Sequence, residues 1–124
     1  LLLSGISGVL ADGLDPNAPI DPELLKGAEA GDAASLYNLG WIYLKKGGPE
    51  NLALSRTYLQ RAIDAYADAT GDDLKWKAGL YRMLSDTDMA ASRYSESLDA
   101  LDRAIKVATE ERRQVLLNIA IARA

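Results

Sequence analysis

Apolar residues recur at intervals of three and four along most of the chain, which is the period of one face of an α-helix. A clear example is Leu36, Leu39 and Tyr43, which lie between Asp32 and Gly47. No stretch sustains the alternation of apolar and polar residues, rich in β-branched side chains, that is typical of a strand. The pattern predicts an all-α protein without a sheet.

Residues that favour helix ends divide the periodic stretches into six predicted helices. Asp21 and Pro22 are typical of a helix start, because Asp caps free N–H groups and Pro suits the first turn. Gly31 is typical of a helix end, since it readily adopts the left-handed conformation. The predicted helices run from about residue 22 to 30, 32 to 46, 49 to before Gly71, 73 to 86 with Asp72 as cap, 95 to 108, and 110 to the end.

The apolar positions of the last three helices indicate which side chains should face the core. The polar stretch DTDMAASRY, from Asp86 to Tyr94, is expected to lengthen either the turn between the fourth and fifth helices or the fourth helix itself. The expected inward residues are Trp76, Leu80, Tyr81 and Leu84, then Leu98, Leu101 and Ile105, and finally Val115, Leu116, Ile119 and Ile121.

The first 21 residues differ in composition from the rest. Residues 11–21 contain prolines that disfavour a helix, so residues 1–21 are predicted to be an extended arm and linker, and residues 22–124 one helical-repeat domain. The opening LLLSGISGVL resembles the end of a signal peptide but has no basic flank. We expect a processed chain in the periplasm or cell envelope, with the cytoplasm as the alternative. The arm is expected to fold back on its domain or to cross a partner.

Composition excludes several classes of function. The formal charge of −4 lacks the basic excess of a nucleic-acid binder. Absence of Cys and His removes thiol nucleophiles, disulfides, the usual zinc ligands and the commonest general base. We therefore expect no nucleic acid, no metal, no cofactor and no small-molecule substrate. Neither is a transmembrane segment expected, because the N-terminal apolar run is too short.

The carboxylates do not indicate catalysis. Asp86 and Asp88 lack the Gly and the distal Glu of a calcium loop. Several other acids lie on predicted solvent faces, where a pair at helical spacing usually serves solvation. These acids are Asp64, Asp68, Asp99 and Asp102. The sequence predicts a protein that is not an enzyme.

Two parts of the chain carry a family resemblance. The segments RTYLQRAI and SESLDALDRAI have the aromatic or Leu and Ala spacing of a second repeat helix, with Ala62 and Ala104 in the alanine places. The stretch KGAEAGDAASLYNLGWIYLKKGG resembles the Sel-like branch of the tetratricopeptide repeat superfamily. The residues that match the general form of its repeat phrase are Ala28, Gly31, Leu39, Gly40 and Tyr43.

The resemblance implies a right-handed stack of antiparallel helical hairpins with about 2.5 repeats. It also implies that Gly40 and Ala104 lie where helix backbones approach closely. Three features depart from the repeat pattern. The interval from Gly40 to Tyr58 is about one residue shorter than in the Sel-like form. Tyr81 stands where a small Gly is expected, and the two units lie further apart than the usual ~34 residues.

In such a stack the first helices line a concave face, and this face is the predicted partner-binding site. Trp41 is interpreted either as an anchor for a partner or as packing between hairpins. For Lys75 and Arg82, a solvated face is favoured over partner binding. The predicted site comprises Tyr37, Asn38, Trp41, Lys45, Lys75, Arg82, Gln114 and Asn118.

The end of the chain, VLLNIAIARA, is apolar around most of its circumference. Either further chain or a partner is expected to cover it. The sequence therefore predicts a non-catalytic scaffold or accessory subunit that binds a protein partner, such as a larger subunit of a complex. The alternative is a regulatory or chaperone-like module that binds peptides reversibly in the concave groove.

Overall fold

A computed structural model describes residues 14–123, and all the regular structure in this range is helical. The all-α prediction is therefore confirmed for these residues, which contain no strand. Of the predicted arm and linker, residues 1–21, the first 13 residues lie outside the described range, and residues 14–21 contain no helix. The helices are α1 (Pro22–Glu29), α2 (Ala33–Lys46), α3 (Pro49–Ala65), α4 (Asp73–Ala90) and α5 (Tyr94–Arg123).

The first helices begin where the capping residues predict. The Asp21 carboxylate accepts a hydrogen bond from the Glu23 backbone N–H at 2.9 Å, and Pro22 occupies the first turn. Asp32 caps α2 in the same way, through the Ser35 N–H at 3.0 Å. Gly31 separates the two helices at φ +83°, a left-handed conformation that favours glycine.

The core runs through α2, α3 and α4. Leu39 of α2, Leu59 of α3 and Leu80 of α4 are completely buried. Each helix packs mainly against its neighbours in sequence, from α1 on α2 to α4 on α5. The core cluster reaches α5 through Ala100. Most of the apolar surface of α5 therefore lies outside this core.

Gly40 sets the distance between α2 and α3. A Cβ atom at this position would lie 2.6 Å from Cδ2 of Leu59, too close for a real contact. The Ser55 hydroxyl of α3 also hydrogen-bonds the Gly40 carbonyl, at 2.8 Å. It lies 3.0 Å from the Thr87 hydroxyl as well. This buried network joins α2, α3 and α4 at one place. The close approach of two helices that was predicted at Gly40 is therefore present.

A second close contact joins α4 to α5. The Ser97 hydroxyl donates a hydrogen bond to the Ser85 carbonyl at 2.8 Å, and the Ser85 hydroxyl donates to the Ser97 carbonyl at 2.9 Å. Ala100 and Ala104 continue this small-residue face along α5, and both are buried. The predicted close approach at Ala104 is therefore present.

Helix α4 extends beyond its predicted end at about Asp86, so the polar stretch lengthens the helix and not the turn. Helix α4 continues past Asp86 to Ala90, and the turn to α5 is confined to Ala91–Arg93. Ser92 has φ +60° in this turn. The polar residues from Asp86 onward tolerate a helix because none is Gly or Pro. At the other end of α4, the Asp72 side chain makes no capping hydrogen bond, contrary to prediction.

The predicted fifth and sixth helices are a single helix. The 30 residues of α5 continue without a break through Thr109. No Gly or Pro occurs in this stretch, and Glu110 stabilises it through ion-paired hydrogen bonds to Arg113, the shorter of them 2.8 Å. A sixth helix and the turn before it are therefore absent from residues 94–123.

The predicted inward face of α5 is also wrong. Leu98 is 64% exposed and Ile105 57% exposed, and Leu101 is exposed as well. The buried positions lie one residue away, at Ser97, Ala100 and Ala104. The close contact with α4 explains this phase, because large side chains would hold the two backbones apart. The later residues expected inward are also exposed: Val115, Leu116, Ile119 and Ile121.

We expect Gly40→Ala to lower the free energy of unfolding by about 1–3 kcal/mol, because Leu59 must move to admit a methyl group. The matched control is Gly79→Ala in α4, where a Cβ meets nothing within 4 Å. That variant should gain roughly 0.5–1 kcal/mol from its higher helix propensity. Urea unfolding of both variants measures the difference. Equal stabilities would contradict the close approach of α2 and α3.

Candidate functional site

The structure brings together part of the predicted concave site. Tyr37 is half-buried on α2, and burial raises the pKa of its hydroxyl. The positive charge of Arg82 on α4 opposes this rise in pKa, so the two side chains are electrostatic neighbours. The Arg82 charge on α4 is therefore close enough to act on the Tyr37 hydroxyl on α2, and these are the first helices of the two predicted hairpins.

Trp41 and Asn38 extend this region along α2. The Lys45 ammonium lies 5.9 Å from the centre of the Trp41 ring, a cation–π arrangement. Trp41 is half-buried. This exposure does not distinguish its interpretation as an anchor for a partner from its interpretation as packing between hairpins. Asn38 is half-buried too, and its Oδ1 atom is buried and accepts no hydrogen bond within residues 14–123. This buried atom is enclosed by the protein itself, so it does not present an acceptor to a partner on the surface.

The remaining predicted residues lie elsewhere. The Lys75 ammonium lies 5.8 Å from the Trp76 ring centre on α4. The Gln114 side chain accepts a hydrogen bond from the Gly71 N–H at 3.1 Å, so it connects α5 to the loop before α4. Asn118 is exposed on the following turn of α5. The predicted site is thus divided between the α2–α4 face and α5.

A shallow apolar groove runs between α4 and α5. Its volume is about 410 Å³, and Lys75 and Arg82 line its α4 side. Ala78 and Gly79 form the floor on α4 because they lack long side chains, and Leu101 and Ile105 are among its α5 residues. The predicted site residues Lys75 and Arg82 therefore border Leu101 and Ile105, two exposed residues that were expected in the core.

The C-terminal part of α5 carries more exposed apolar side chains. The contact of Gln114 with Gly71 lies next to the first turn of α4, so residues 115–123 extend past it. All of these residues are exposed, over a length of about 13 Å. Leu116, Leu117 and Ile121 are each more than half exposed. Together with Leu98 and Ile105, they give α5 a long apolar surface.

An ion cluster stabilises the turn between α4 and α5. Asp88 is only 1% exposed, and its Oδ1 atom lies 3.0 Å from Arg56 Nε and 3.4 Å from Arg93 Nε. The Arg93 backbone N–H also donates to the Asp88 carbonyl, at 2.7 Å. The cluster borders a cleft of about 690 Å³ between α3 and the end of α4. Through Arg56 and Arg93, the ion cluster connects α3 to the start of α5.

Sequence reasoning missed both the ion cluster and the exposed face of α5. Asp88 lies four and eight residues after the buried Leu84 and Leu80, on the same helical face. That spacing was a usable signal, because a carboxylate on a buried face needs a positive partner. On α5, two faces offset by one residue both have helical spacing. From sequence alone, the face with the larger side chains was predicted to be the buried one.

These arrangements support non-covalent contacts. Within the described range no group of three or more acidic side chains is placed to hold a metal ion. The four acids expected on solvent faces, Asp64, Asp68, Asp99 and Asp102, are exposed as predicted. None of the helices between residues 14 and 123 combines the length and apolar character needed to cross a membrane.

No family model matches the sequence, and comparisons with curated proteins and with solved structures find no significant match.

We expect the variant Arg56→Gln/Arg93→Gln to lose about 3 kcal/mol of stability, because it leaves the buried Asp88 carboxylate without a positive partner. Asp88→Asn should cost only about 1 kcal/mol, since both arginines are more than a third exposed and regain hydration. Adding Asp88→Asn to the double variant should recover part of the loss. Urea unfolding measures all three, and a larger loss for Asp88→Asn would contradict this reading of the cluster.

Proposed function

We propose that this chain is a non-catalytic protein-binding scaffold or accessory subunit of a larger protein assembly. The observation that carries the proposal is the apolar surface of α5. Large apolar side chains are exposed from Leu98 near its start to Ile121 near its end. Many exposed large apolar side chains on one helix are typical of protein interaction sites. The length of this apolar surface matches the groove or helix of a folded partner better than a small ligand.

The proposal includes a helical-repeat fold of the tetratricopeptide or Sel-like kind. The support is that helices pack mainly on their sequence neighbours, as in stacked hairpins. Gly40 and Ala104, which carry part of the resemblance, both lie at close helix contacts. The continuous α5 departs from a regular repeat, because a hairpin turn near Thr109 would be needed for a further unit.

A second candidate function is reversible peptide binding on the α2–α4 face. It is favoured by the aromatic and basic groups on this face, Trp41 with Lys45 and Tyr37 with Arg82. An extended peptide could place an apolar side chain on Trp41 and a carboxylate near Arg82. This candidate uses a different surface from the first.

Affinity capture from the native extract, with quantitative mass spectrometry, distinguishes the two surfaces. The scaffold proposal predicts that the chain retains a protein in fixed ratio and that Leu116→Glu/Ile119→Glu abolishes the capture. Lys106→Glu is the matched control, because it adds the same side chain on the polar face of α5 and should retain the partner. Loss on Trp41→Ala instead would favour peptide binding, and no retained protein with any variant would contradict both.

A further inference from the structure

The exposed side chains of α5 follow a heptad spacing. Steps of four and three residues alternate from Tyr94 to Ala122, which is the spacing of a coiled-coil seam. The exposed fractions within it include 58% at Tyr94 and 44% at Ile119. We define the α5 seam as Tyr94, Leu98, Leu101, Ile105, Ala108, Arg112, Val115, Ile119 and Ala122, all of which are exposed.

A heptad seam fits another helix, because the 3.5-residue repeat keeps one stripe facing a partner along its whole length. A globular partner surface would need no such repeat. The seam is unoccupied by the described residues, since α4 packs on the adjacent face through Ser97, Ala100 and Ala104. The remaining question is which helix occupies it.

Arg112 selects the direction of that helix if the partner is a second copy. In a parallel pair, equivalent seam positions meet, so the two Arg112 guanidinium groups would face each other. Like charges placed together destabilise a contact. In an antiparallel pair centred near residue 110, Arg112 faces Ala108 of the second copy instead, where the small side chain leaves room for it.

The same antiparallel register pairs apolar side chains along most of the rest of the seam. Leu101 faces Ile119 of the second copy, and Ile105 faces its Val115. Leu98 faces Ala122 near each end. Every contact occurs twice by symmetry, as expected for an isologous interface. One register thus accommodates the only charged seam residue and pairs the large aliphatic seam residues from Leu98 to Ile119, whereas Tyr94 has no opposite seam residue.

Charges beside the seam agree with this register. Asp102 and Arg123 occupy equivalent flanking positions, and the antiparallel register brings Asp102 near Arg123 of the second copy. Asp102 already contacts Lys106 at 2.9 Å, but both side chains are more than half exposed, so the pair holds Asp102 only weakly. On the other flank, Glu111 of the same chain already lines the groove together with the basic Lys75 and Arg82.

The shape of the chain also permits the pairing. The C-terminal turns of α5 extend past the Gln114–Gly71 contact, so they are free to lie along the first half of a second α5. There they meet the groove whose α4 side includes the small residues Ala78 and Gly79. Leu117 and Ile121 point away from the seam and stay exposed in this arrangement.

We propose that the chain forms a homodimer through antiparallel pairing of its α5 seams. This inference rests on the proposed protein-binding function and names a second copy of the chain as the occupant of α5. The α2–α4 faces of both copies remain open for other partners.

Disulfide trapping tests the register directly, because the chain contains no cysteine. Leu101→Cys and Ile119→Cys are prepared as separate full-length proteins, then mixed and oxidised. An antiparallel pair places these positions opposite each other, so the mixture should form mixed disulfides. Each variant alone should stay uncrosslinked, because its own two thiols lie about 27 Å apart. Crosslinking of each variant alone, without mixed disulfides, would indicate a parallel pair and overturn the proposal.

Light scattering tests the dimer itself. The wild-type chain should have twice the 13.4 kDa mass of one copy. Ile105→Arg should give a folded monomer, whereas the control Leu117→Arg should remain dimeric because Leu117 lies off the seam. A monomeric wild type would overturn the homodimer. If the wild type is monomeric but captures a protein that Leu116→Glu/Ile119→Glu loses, the proposed function stands without the homodimer. If the wild type captures no protein, the proposed function fails as well.

Discussion

The close contact of α5 with α4 is the constraint on which the exposed surface of the protein depends. Reciprocal hydrogen bonds between Ser85 and Ser97 hold the two backbones close together. At that separation only small side chains fit between the helices, so Ala100 and Ala104 face inward. The neighbouring large residues, such as Leu98, must then face outward. The interaction that stabilises this helix pair therefore also creates the apolar surface to which we assign binding.

Other buried polar groups hold α4 in the position that this contact requires. Ser55 and Thr87 join α3 to α4, and Asp88 adds an ion pair to Arg56 one residue later. Such groups stabilise a structure only when their partners are in place, so they favour one packing of α3, α4 and α5 over its alternatives. Because α5 is longer than α4, with 30 residues against 18, its last turns gain no similar support. None of the described residues buries the apolar side chains of those turns.

Much of the fold was predictable because its signals are local. Asp21, Pro22 and Gly31 determine helix ends through their own side chains and backbone preferences, and α1 and α2 begin and end close to their predicted positions. The end of α4 and the phase of α5 were not predictable in this way. Leu98 and Ser97 both belong to helical stripes, and the choice between them depends on the distance to α4, which is a tertiary property. The candidate site was divided for the same reason. Tyr37 and Arg82 are electrostatic neighbours, whereas the Gln114 side chain accepts a hydrogen bond from the loop at Gly71.

The phase of α5 is the central claim, and thiol accessibility measures it most directly. Leu98→Cys places a single thiol on the exposed face of α5, and Ala100→Cys places one on the face that packs against α4. The chain contains no other cysteine. At protein concentrations low enough to keep the chain monomeric, the thiol at position 98 should react with a disulfide reagent about as fast as in urea. The thiol at position 100 should be strongly protected until the chain unfolds. Protection at position 98 together with rapid reaction at position 100 would contradict the account, because α5 would then face α4 with its large side chains.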